Sequence, residues 1–410
     1  MLNAKGEREL AYVVRIDGIE PIPGYDRVET AVIGGWHVIV KKGDFQVGDP
    51  AIYFEIDSKV PSDRECFAFL EKRGYKIKTL RMCKTISQGL AMHPSDFGWE
   101  GFPEANTDAP CVKDDEGKFH YADSEDRFLT KKLGVTYADT EDNQRKAPSV
   151  DKYKKMAQRM PHLFKTPVAR WMMRRHWGRK VMFFFFGKKR DKKSGWPQWV
   201  QKTDEERIEN MPWILENNTR VWIATEKIDG TSTTFTLKRG SLFHKEEFYI
   251  CSRNVVFDKP NKQCYYDTNV YTEMAEKYHI YEKMKKMLNE EFKNCEWITI
   301  QGETYGPKVQ NRDYHAPERG FMAFNFITSS SGRWNSIDMK NLLEKQYGIP
   351  CVPILGKMTL PATVQELRDY VNSATSMLDN DMREGVVFRG LDGTRSFKCV
   401  SPEYLMKYHG

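Results

Sequence analysis

The stretch ATEKIDGTSTTF, residues 224–235, places a lysine two residues before an aspartate and a glycine, within a β-prone segment. Side chains alternate between the two faces of a strand, so Lys227 and Asp229 are expected on one face together with Thr225. Glu226 is expected on the opposite face. Taken alone, the pattern is equally typical of an exposed strand edge with a Lys–Asp pair, so its meaning depends on the rest of the chain.

Length and composition exclude several classes of protein. A chain of 410 residues favours two or three domains. Its apolar runs are too short to span a membrane, and its first ten residues are charged rather than signal-like. The 8 cysteines are widely spaced without a CxxC pair, so we expect reduced thiols in an intracellular compartment. No Walker-type phosphate loop, HExxH helix or GxGxxG turn occurs, so any nucleotide must bind by other means.

Positive charge is concentrated in residues 152–202, which hold sixteen Lys or Arg and one acid, Asp191, in a chain of net charge +7. Basic residues mixed with Trp and Phe suit a polyanion that also offers bases for stacking. An amphipathic helix that packs its aromatic side on the protein is the first alternative, and a membrane-surface helix is the last. The candidate nucleic-acid contacts in this segment are Arg174, Arg175, Arg179 and Lys180.

The pattern of strands and turns predicts three regions. Residues 1–97 contain short alternating strands separated by turn signals, which favour a small β-barrel of the OB type that could bind nucleic acid. Residues 98–200 are interpreted as an insert or connector that contains the basic segment. Residues 201–410 alternate strands and helices, and they form the third predicted domain.

Two helices are predicted in the third region. Thr203 is a suitable N-cap for a helix that begins at residues 204–206, because acidic residues are favoured in a first turn. A second helix is predicted over residues 268–293, where apolar side chains recur at helical spacing. This stripe, which we assign to the protein core, consists of Tyr271, Met274, Tyr278, Tyr281, Met284, Leu288 and Phe292.

Further motifs follow Lys227 in order. They are CSRN (251–254), ITIQGETYGPKVQ (298–310), FMAFNF (321–326), REGVVFRG (383–390) and SFKCVSPEYLMK (396–407). Their order and spacing resemble those of the covalent nucleotidyltransferase superfamily, which comprises polynucleotide ligases and RNA-capping guanylyltransferases. In that resemblance Lys227, Asp229 and Gly230 correspond to the nucleophile motif.

Within that superfamily, KTDEERIEN (202–210), TEKIDGTS (225–232) and SRN (252–254) are similar to the nick-sealing branch of ATP-dependent RNA ligases. GWHVIVKKGDFQVGDPAIYFEIDSKVP (35–61) is similar to a subgroup with an amino-terminal OB module. The resemblance implies an α+β fold. Its C-terminal nucleotidyltransferase domain, an ATP-grasp-like adenylyltransferase, would have antiparallel sheets with flanking helices and would follow a small N-terminal OB-like β-barrel.

The resemblance also implies roles for individual side chains. Lys227 would be the nucleophile that attacks ATP. A lysine amine is nucleophilic only when neutral, and we expect cations nearby to lower the pKa of Lys227. Those cations would be Lys398, Arg253 and a divalent metal ion. Asn254 would join Arg253 at a phosphate or at the 3′-OH end, and Glu226 would read the adenine edge.

The same resemblance suggests Mg²⁺ or Mn²⁺ as a cofactor, because hydrated divalent cations prefer oxygen ligands. The candidate metal ligands are Asp229, Glu303 and Glu384, although Glu303 or Glu384 could instead bind the ribose hydroxyls or act through metal-bound water. Phe324 is the predicted stacking partner of adenine. Phe321 and Phe326 are alternatives for that role, and core packing is possible for all three.

One motif departs from the family pattern. The last motif commonly contains two lysines as K-x-K, whereas here only Lys398 is present, flanked by Ser396 and Val400. Arg395 and Lys407 are candidates for the missing second cation.

Together these patterns predict an ATP-dependent RNA ligase. It would join 3′-OH and 5′-phosphate ends at nicks in RNA or RNA–DNA duplexes, through a lysyl-AMP and an adenylylated 5′ end. We expect a monomer that does not bind membranes. A DNA ligase or a capping-type enzyme is the alternative enzyme, and a nucleic-acid end-binding protein is the non-enzymatic alternative.

Overall fold

The computed structural model describes residues 1–103, 109–138, 196–216, 219–241, 244–253, 255–257, 268–391 and 393–409. Within these ranges no helix is both long and apolar enough to cross a membrane. Asn254 and the four candidate contacts of the basic segment lie outside the described residues, so the predictions for them stay predictions.

The N-terminal residues form short antiparallel strands joined by tight turns. In chain order these are β1 (Ala11–Arg15), β2 (Gly18–Pro21), β3 (Val28–Ile33), β4 (Trp36–Lys41), β5 (Pro50–Phe54), β6 (Ser58–Lys59), β7 (Lys76–Ile77), β8 (Thr79–Met82), β9 (Thr85–Gln88) and β10 (Leu90–Met92). The strand orders are β1-β5-β10, β2-β3-β4 and β8-β9. Two 3₁₀ helices, Glu65–Arg73 and Pro94–Phe97, complete this part.

The residues that follow pack onto these strands. They comprise β11 (Glu100–Pro103), β12 (Pro110–Lys113), β13 (Phe119–Tyr121), the 3₁₀ helix Glu125–Arg127, α1 (Thr130–Leu133) and β14 (Thr136–Tyr137). Val112 and Leu133 share one apolar core with Leu10 and Phe54. We call residues 1–138 the N-terminal module because its packing is continuous across residue 97. The predicted division of the chain at residues 97 and 200 stays a prediction.

The C-terminal part contains two larger sheets. Its strands are β15 (Glu206–Arg207), β16 (Trp222–Lys227), β17 (Thr231–Lys238), β18 (Glu247–Cys251), β19 (Val256–Phe257), β20 (Trp297–Tyr305), β21 (Gly320–Thr328), β22 (Gly332–Arg333), β23 (Ile354–Met358), β24 (Gly385–Gly390) and β25 (Ser396–Val400). A five-stranded sheet has the order β15-β25-β24-β16-β23, and a six-stranded sheet has the order β19-β18-β17-β20-β21-β22. The chain passes from the first sheet to the second at residues 228–230.

Helices flank the two sheets. They are α2 (Val270–Lys277), α3 (Ile280–Glu290), α4 (Ser336–Lys340) with its π-helical continuation Asn341–Gln346, α5 (Val364–Asn372) and α6 (Pro402–Tyr408). Two 3₁₀ helices, Ile208–Asn210 and Pro212–Leu215, precede β16.

The helix predicted over residues 268–293 is present as two helices. His279 adopts a left-handed conformation (φ 49°) at the start of α3, which ends the regular hydrogen bonding of α2. The apolar stripe nevertheless reaches the core as predicted, since Met274, Met284 and Leu288 pack against the six-stranded sheet. The helix predicted from residue 204 is wrong, because residues 206 and 207 form the edge strand β15.

A buried ion pair of the C-terminal part, Arg368 with Glu209, also hydrogen-bonds the N-terminal module. Arg368 on α5 donates hydrogen bonds from Nη2 to Glu209 Oε1 (3.0 Å), to the carbonyl oxygen of Gly35 (3.1 Å) and to Gln88 Oε1 (3.1 Å). Glu209 is 1% exposed and Arg368 is 7% exposed. A buried charge is tolerated only when it is paired, so this contact depends on both partners.

Replacing Arg368 by Met should therefore destabilise the protein by about 3–5 kcal/mol, because Glu209 would remain buried without its counter-charge. The free energy of unfolding is measured by urea denaturation. Lys286→Met is the matched control, since Lys286 lies 3.9 Å from Glu290 on the exposed face of α3. Its effect should stay below about 1 kcal/mol. Equal effects of the two substitutions would contradict the proposed importance of the contact.

Candidate active site

The inner side of the five-stranded sheet presents the polar residues of the predicted motifs. Antiparallel pairing places Lys227 opposite Gly385, Val387 opposite Lys398, and Arg389 opposite Ser396. The alternating residues Trp222, Ala224, Val386, Phe388, Phe397 and Cys399 belong to the apolar core on the other face. Strand periodicity thus separates a buried scaffold from a charged surface.

Lys227 is the last residue of β16, and its Nζ lies 2.6 Å from Glu384 Oε1. Burial disfavours its ammonium form, but the carboxylates of Glu384, Glu303 and Asp229 outweigh that effect and raise the pKa of Lys227. The expectation of a lowered pKa included a divalent metal ion beside Lys227, so it stays a prediction. The cations expected to lower it, Arg253 and Lys398, are instead engaged by a different carboxylate.

Asp229 follows the end of β16 and is fixed by aromatic side chains. Its backbone N–H donates to Tyr314 Oη (2.6 Å), and its carboxylate accepts from Tyr404 Oη (2.8 Å) and lies 2.9 Å from His409 Nε2. Burial opposes ionisation, but His409, Lys227 and the Tyr404 hydrogen bond lower the pKa of Asp229. Asp229 is therefore a buried, ionised acid close to Lys227, although it lies beyond the strand predicted to carry both.

Two motif glycines allow the backbone to approach closely at this point. A Cβ atom on Gly230 would overlap the carbonyl oxygen of Thr304, and one on Gly385 would overlap that of Cys399. Gly385 lies opposite Lys227, the candidate nucleophile. Its close approach to Cys399 leaves no room for a side chain at position 385.

Glu303 and Glu384 add negative charge around Lys227. Burial raises the pKa of Glu303 to about 8, and the nearby Glu384 and Asp229 add to this effect. Glu384 Oε2 is buried without a hydrogen-bond partner among the described residues. Three carboxylates therefore face one ammonium, and one of their oxygens is unsatisfied.

This carboxylate cluster fits a hydrated divalent cation. Among the described residues, no group of three or more His, Cys, Asp or Glu is placed so that it could hold a metal ion. Mg²⁺ retains several waters and is commonly held by only one or two carboxylates, so three protein ligands are not required. The surplus negative charge and the free oxygen of Glu384 are the features that a cation would satisfy.

Of the three candidate phenylalanines, Phe324 differs from the other two in its surroundings. Phe321 and Phe326 are buried in the core beneath the six-stranded sheet. Phe324 is only partly buried, packs with the cluster around Ile228, and lies 5.9 Å from the guanidinium of Arg389. It is the one of these three rings that remains accessible beside the charged surface.

Glu226 is 2% exposed and lies beside the loop that follows α5. Its Oε2 accepts a hydrogen bond from the backbone N–H of Met377 (2.9 Å). Its Oε1 is buried without a partner in the described part of the chain. An unsatisfied buried acceptor is costly, so this atom is suited to receive a donor from a ligand, such as the amino group of adenine.

Lys398 and Arg253 converge on Asp204, a residue that was assigned no role in the site from sequence. Asp204 Oδ1 lies 2.9 Å from Lys398 Nζ, and Oδ2 lies 2.6 Å from Arg253 Nη2 and 2.9 Å from Arg8 Nε. Burial, together with Arg8, Arg207 and Lys227, lowers the pKa of Lys398 to about 8 against the attraction of Asp204. The two predicted phosphate-binding cations thus lie together.

Arginines surround the position of the missing second lysine. Glu205 Oε1 lies 3.2 Å from Arg333 Nη1 and 3.2 Å from Arg389 Nη2, and Ser396 donates a short hydrogen bond to Glu205. Lys407, a candidate replacement, instead pairs with Asp381 at 3.0 Å on the exposed side of α6. Arg333 lies 63 positions from Ser396 in the chain, so sequence spacing did not reveal it.

Comparisons with known proteins identify related domains. Residues 220–409 match a family model described as RNA ligase, and residues 10–94 match one described as an OB-fold domain. A search of curated protein sequences found no match.

Solved structures of one ligase share the fold over nearly the whole chain. Naegleria gruberi RNA ligase with PPi is 24% identical with a TM-score of 0.68, covering 98% of this chain and 99% of that chain. A lysine-to-alanine variant with ATP and Mn is 23% identical, with TM-score 0.68 and coverage of 98% and 99%. A glutamate-to-alanine variant with AMP and Mn is 24% identical, with TM-score 0.67 and coverage of 98% and 99%. The predicted mixed α+β fold with an N-terminal OB module is confirmed.

The different surroundings of two phenylalanines give a testable contrast. Phe326→Ala should destabilise the fold by about 3–5 kcal/mol, because it opens a cavity in a closed core. Phe324→Ala should cost less stability but should weaken binding of ATP more strongly, since it removes an accessible stacking surface. Urea denaturation and equilibrium titration with ATP measure the two effects. Stronger loss of ATP binding in the Phe326 variant would contradict the assignment.

Proposed function

We propose that ATP is the nucleotide substrate of this protein. Residues 220–409 match the RNA ligase model and residues 10–94 match the OB-fold model, in agreement with the predicted enzyme class. The protein joins 3′-OH and 5′-phosphate ends through a lysyl-AMP and an adenylylated 5′ end. The observation that carries this proposal is the placement of Lys227 among three carboxyl groups, near the cations that surround Asp204. The N. gruberi ligase structures of similar fold hold PPi, ATP and Mn, or AMP and Mn.

In the first step, Lys227 Nζ attacks the α-phosphorus of ATP. A nitrogen–phosphorus bond forms, and the bond to the pyrophosphate leaving group breaks. The Nζ proton has an acceptor at 2.6 Å in Glu384 Oε1, whose pKa is raised by burial. Lys398 and Arg253 supply positive charge for the phosphate oxygens, and charge stabilisation of this kind is usually the largest catalytic contribution.

Asp229, Glu303 and Glu384 are the residues that would hold Mg²⁺ or Mn²⁺. Such an ion, when bound, supplies positive charge that offsets the carboxylates and favours the neutral amine. Phe324 stacks on adenine in this proposal, and the free Glu226 Oε1 accepts from the adenine amino group. Asp229 keeps its orientation through Tyr404 and Tyr314.

In the later steps, the AMP passes from Lys227 to the 5′-phosphate of a nucleic-acid strand. The 3′-OH of the adjoining strand then attacks that phosphate, and AMP leaves. We propose a nick in an RNA or RNA–DNA duplex as the substrate, with the basic segment along the phosphate backbone and a monomeric enzyme. Cations that neutralise phosphates release counterions, so such binding weakens as salt rises.

A reducing compartment is consistent with the cysteines. Among the described residues, five cysteines are free thiols, namely Cys66, Cys83, Cys295, Cys351 and Cys399. A DNA ligase or capping-type enzyme would use the same covalent step and therefore remains the alternative to test.

Lys227→Ala should abolish the covalent AMP adduct, because no other nucleophile replaces the amine on β16. Incubation with labelled ATP or GTP followed by denaturing electrophoresis measures the adduct. Unaltered protein should be labelled by ATP, whereas labelling by GTP alone would favour a capping-type enzyme. The variant should still seal a pre-adenylylated strand, which provides the control for folding. An adduct on another lysine would refute the assignment.

The sugar at the 3′-OH end should affect the sealing rate. A 2′-OH is both a donor and an acceptor, so a protein can recognise it directly. Nicks with ribonucleotides at the 3′-OH end are expected to seal faster than those with deoxyribonucleotides, while the 5′-phosphate strand is more permissive. Single-turnover sealing of four matched nicks measures this preference. Equal rates on an all-DNA nick would favour the DNA-ligase alternative.

A further inference from the structure

Asp204 is the carboxylate at which cations from three distant parts of the chain meet. Lys398 belongs to β25, Arg253 follows β18, and Arg8 precedes β1. Their side chains surround Asp204, which is itself 11% exposed, while Lys398 is 14% exposed and Arg8 7% exposed. Ion pairs shielded to this extent require good geometry, and loss of one partner leaves an uncompensated charge.

Local strand pairing explains why Asp204 reaches these cations. β15 runs parallel to β25, with Glu206 opposite Phe397 and Arg207 opposite Lys398. Residue 204 therefore approaches the charged side of the sheet just before β15 begins. The next acid, Glu205, contacts a separate group of arginines around Ser396.

Lys398 and Arg253 keep donors beyond those that Asp204 engages. An ammonium has three N–H donors and a guanidinium has five. The bonds to Asp204 engage Lys398 Nζ and Arg253 Nη2. Arg253 is 44% exposed, and its guanidinium lies 5.3 Å from the centre of the Tyr137 ring. Asp204 thus orients both cations while leaving them able to bind an anion.

Arg8 extends this arrangement into the N-terminal module. Its Nη1 lies 3.3 Å from Glu55 Oε2 and 3.2 Å from Glu206 Oε1, in addition to the contact of its Nε with Asp204. Glu55 is 1% exposed and directly follows β5. A continuous path of ion pairs therefore runs from the barrel strands to Lys398.

We propose that Asp204 is a positioning residue for lysyl-AMP formation, which holds Lys398 and Arg253 where the phosphates of ATP bind. Through Arg8 it ties this arrangement to the N-terminal module. The role rests on the proposed function, in which both cations stabilise charge on the phosphates. Asp204 acts through the side chains that it orients. The N-terminal module consequently contributes to the first chemical step, before any RNA is present.

The test compares Asp204→Asn with Glu206→Gln in the full chain. Asparagine keeps the size of the side chain and removes its charge. Glu206 is the matched control because, like Asp204, it pairs with Arg8. Among the described residues, the ion pairs of Lys398 and Arg253 are instead with Asp204. Initial rates of ATP–pyrophosphate exchange, in which lysyl-AMP forms and is reversed by pyrophosphate, give kcat and KM for ATP without RNA. Thermal unfolding reports folding.

Asp204→Asn is expected to lower kcat/KM for ATP by about 10- to 100-fold, because small displacements of charged groups are costly in catalysis. KM should rise, and Asp204→Glu should restore part of the loss. Glu206→Gln should change KM far less, even if both variants lower Tm equally. An equal loss in both variants would show a purely structural role and overturn the proposal, as would unchanged kinetics in Asp204→Asn.

Arg8→Gln keeps the proposal testable if Asp204→Asn does not fold. This change should raise KM for ATP although Arg8 lies in the N-terminal module. An unchanged KM would overturn the proposed connection between that module and Asp204. Combined with Asp204→Asn, it should cost less than the sum of the two single effects, since coupled residues are not additive. No lysyl-AMP from the unaltered chain would instead refute the proposed function itself.

Discussion

A single, partly buried ammonium surrounded by three carboxyl groups is the constraint on which the C-terminal domain depends. Lys227 is paired with Glu384 and lies near Asp229, while burial raises the pKa of Glu303 to about 8. Uncompensated charge is expensive in a buried site, so the arrangement is stable only with a raised lysine pKa and a carboxyl that resists ionisation. The surrounding carboxyl groups therefore favour the protonated form of Lys227.

A neighbouring cluster contains more cations than carboxylates. Arg8, Arg253 and Lys398 share the carboxylate of Asp204, while two arginines share Glu205. The acid-rich and cation-rich clusters lie on the same sheet, since Lys227 ends β16 and Lys398 lies on β25, and both strands pair with β24. A complex of a divalent cation with a nucleotide carries both signs of charge, so the two clusters are complementary to such a complex.

Sequence predicted the local features of this protein better than the distant ones. The motifs correctly indicated the fold and brought Lys227, Asp229, Glu303 and Glu384 to one place, because strand periodicity and glycine requirements are local. Sequence did not indicate that Glu384, Glu303 and Asp229 raise the pKa of Lys227, or that Asp204 binds Lys398 and Arg253.

Acidic residues 204–206 were misread as a helix start for a related reason. Consecutive acidic residues are favoured at a helix N-terminus, but they can equally form long-range ion pairs. The positions of their basic partners determine which of the two structures forms. Those partners, such as Arg8 and Arg389, are nearly 200 positions away in either direction. The same distance hid Tyr404, although its SPEY segment was recognised as part of the last motif.

The parallel pairing of β15 with β25 has a consequence for how the enzyme is made. Residues 206 and 207 join residues 397 and 398 across almost the entire C-terminal domain. Contacts between residues so far apart form slowly, because the entropy cost of closing a long loop precedes the stabilisation that the contacts provide. During synthesis the N-terminal module can fold early, but the cation cluster cannot assemble until β25 has emerged. The charge arrangement around Asp204 is therefore incomplete in a nascent chain until β25 has joined β15.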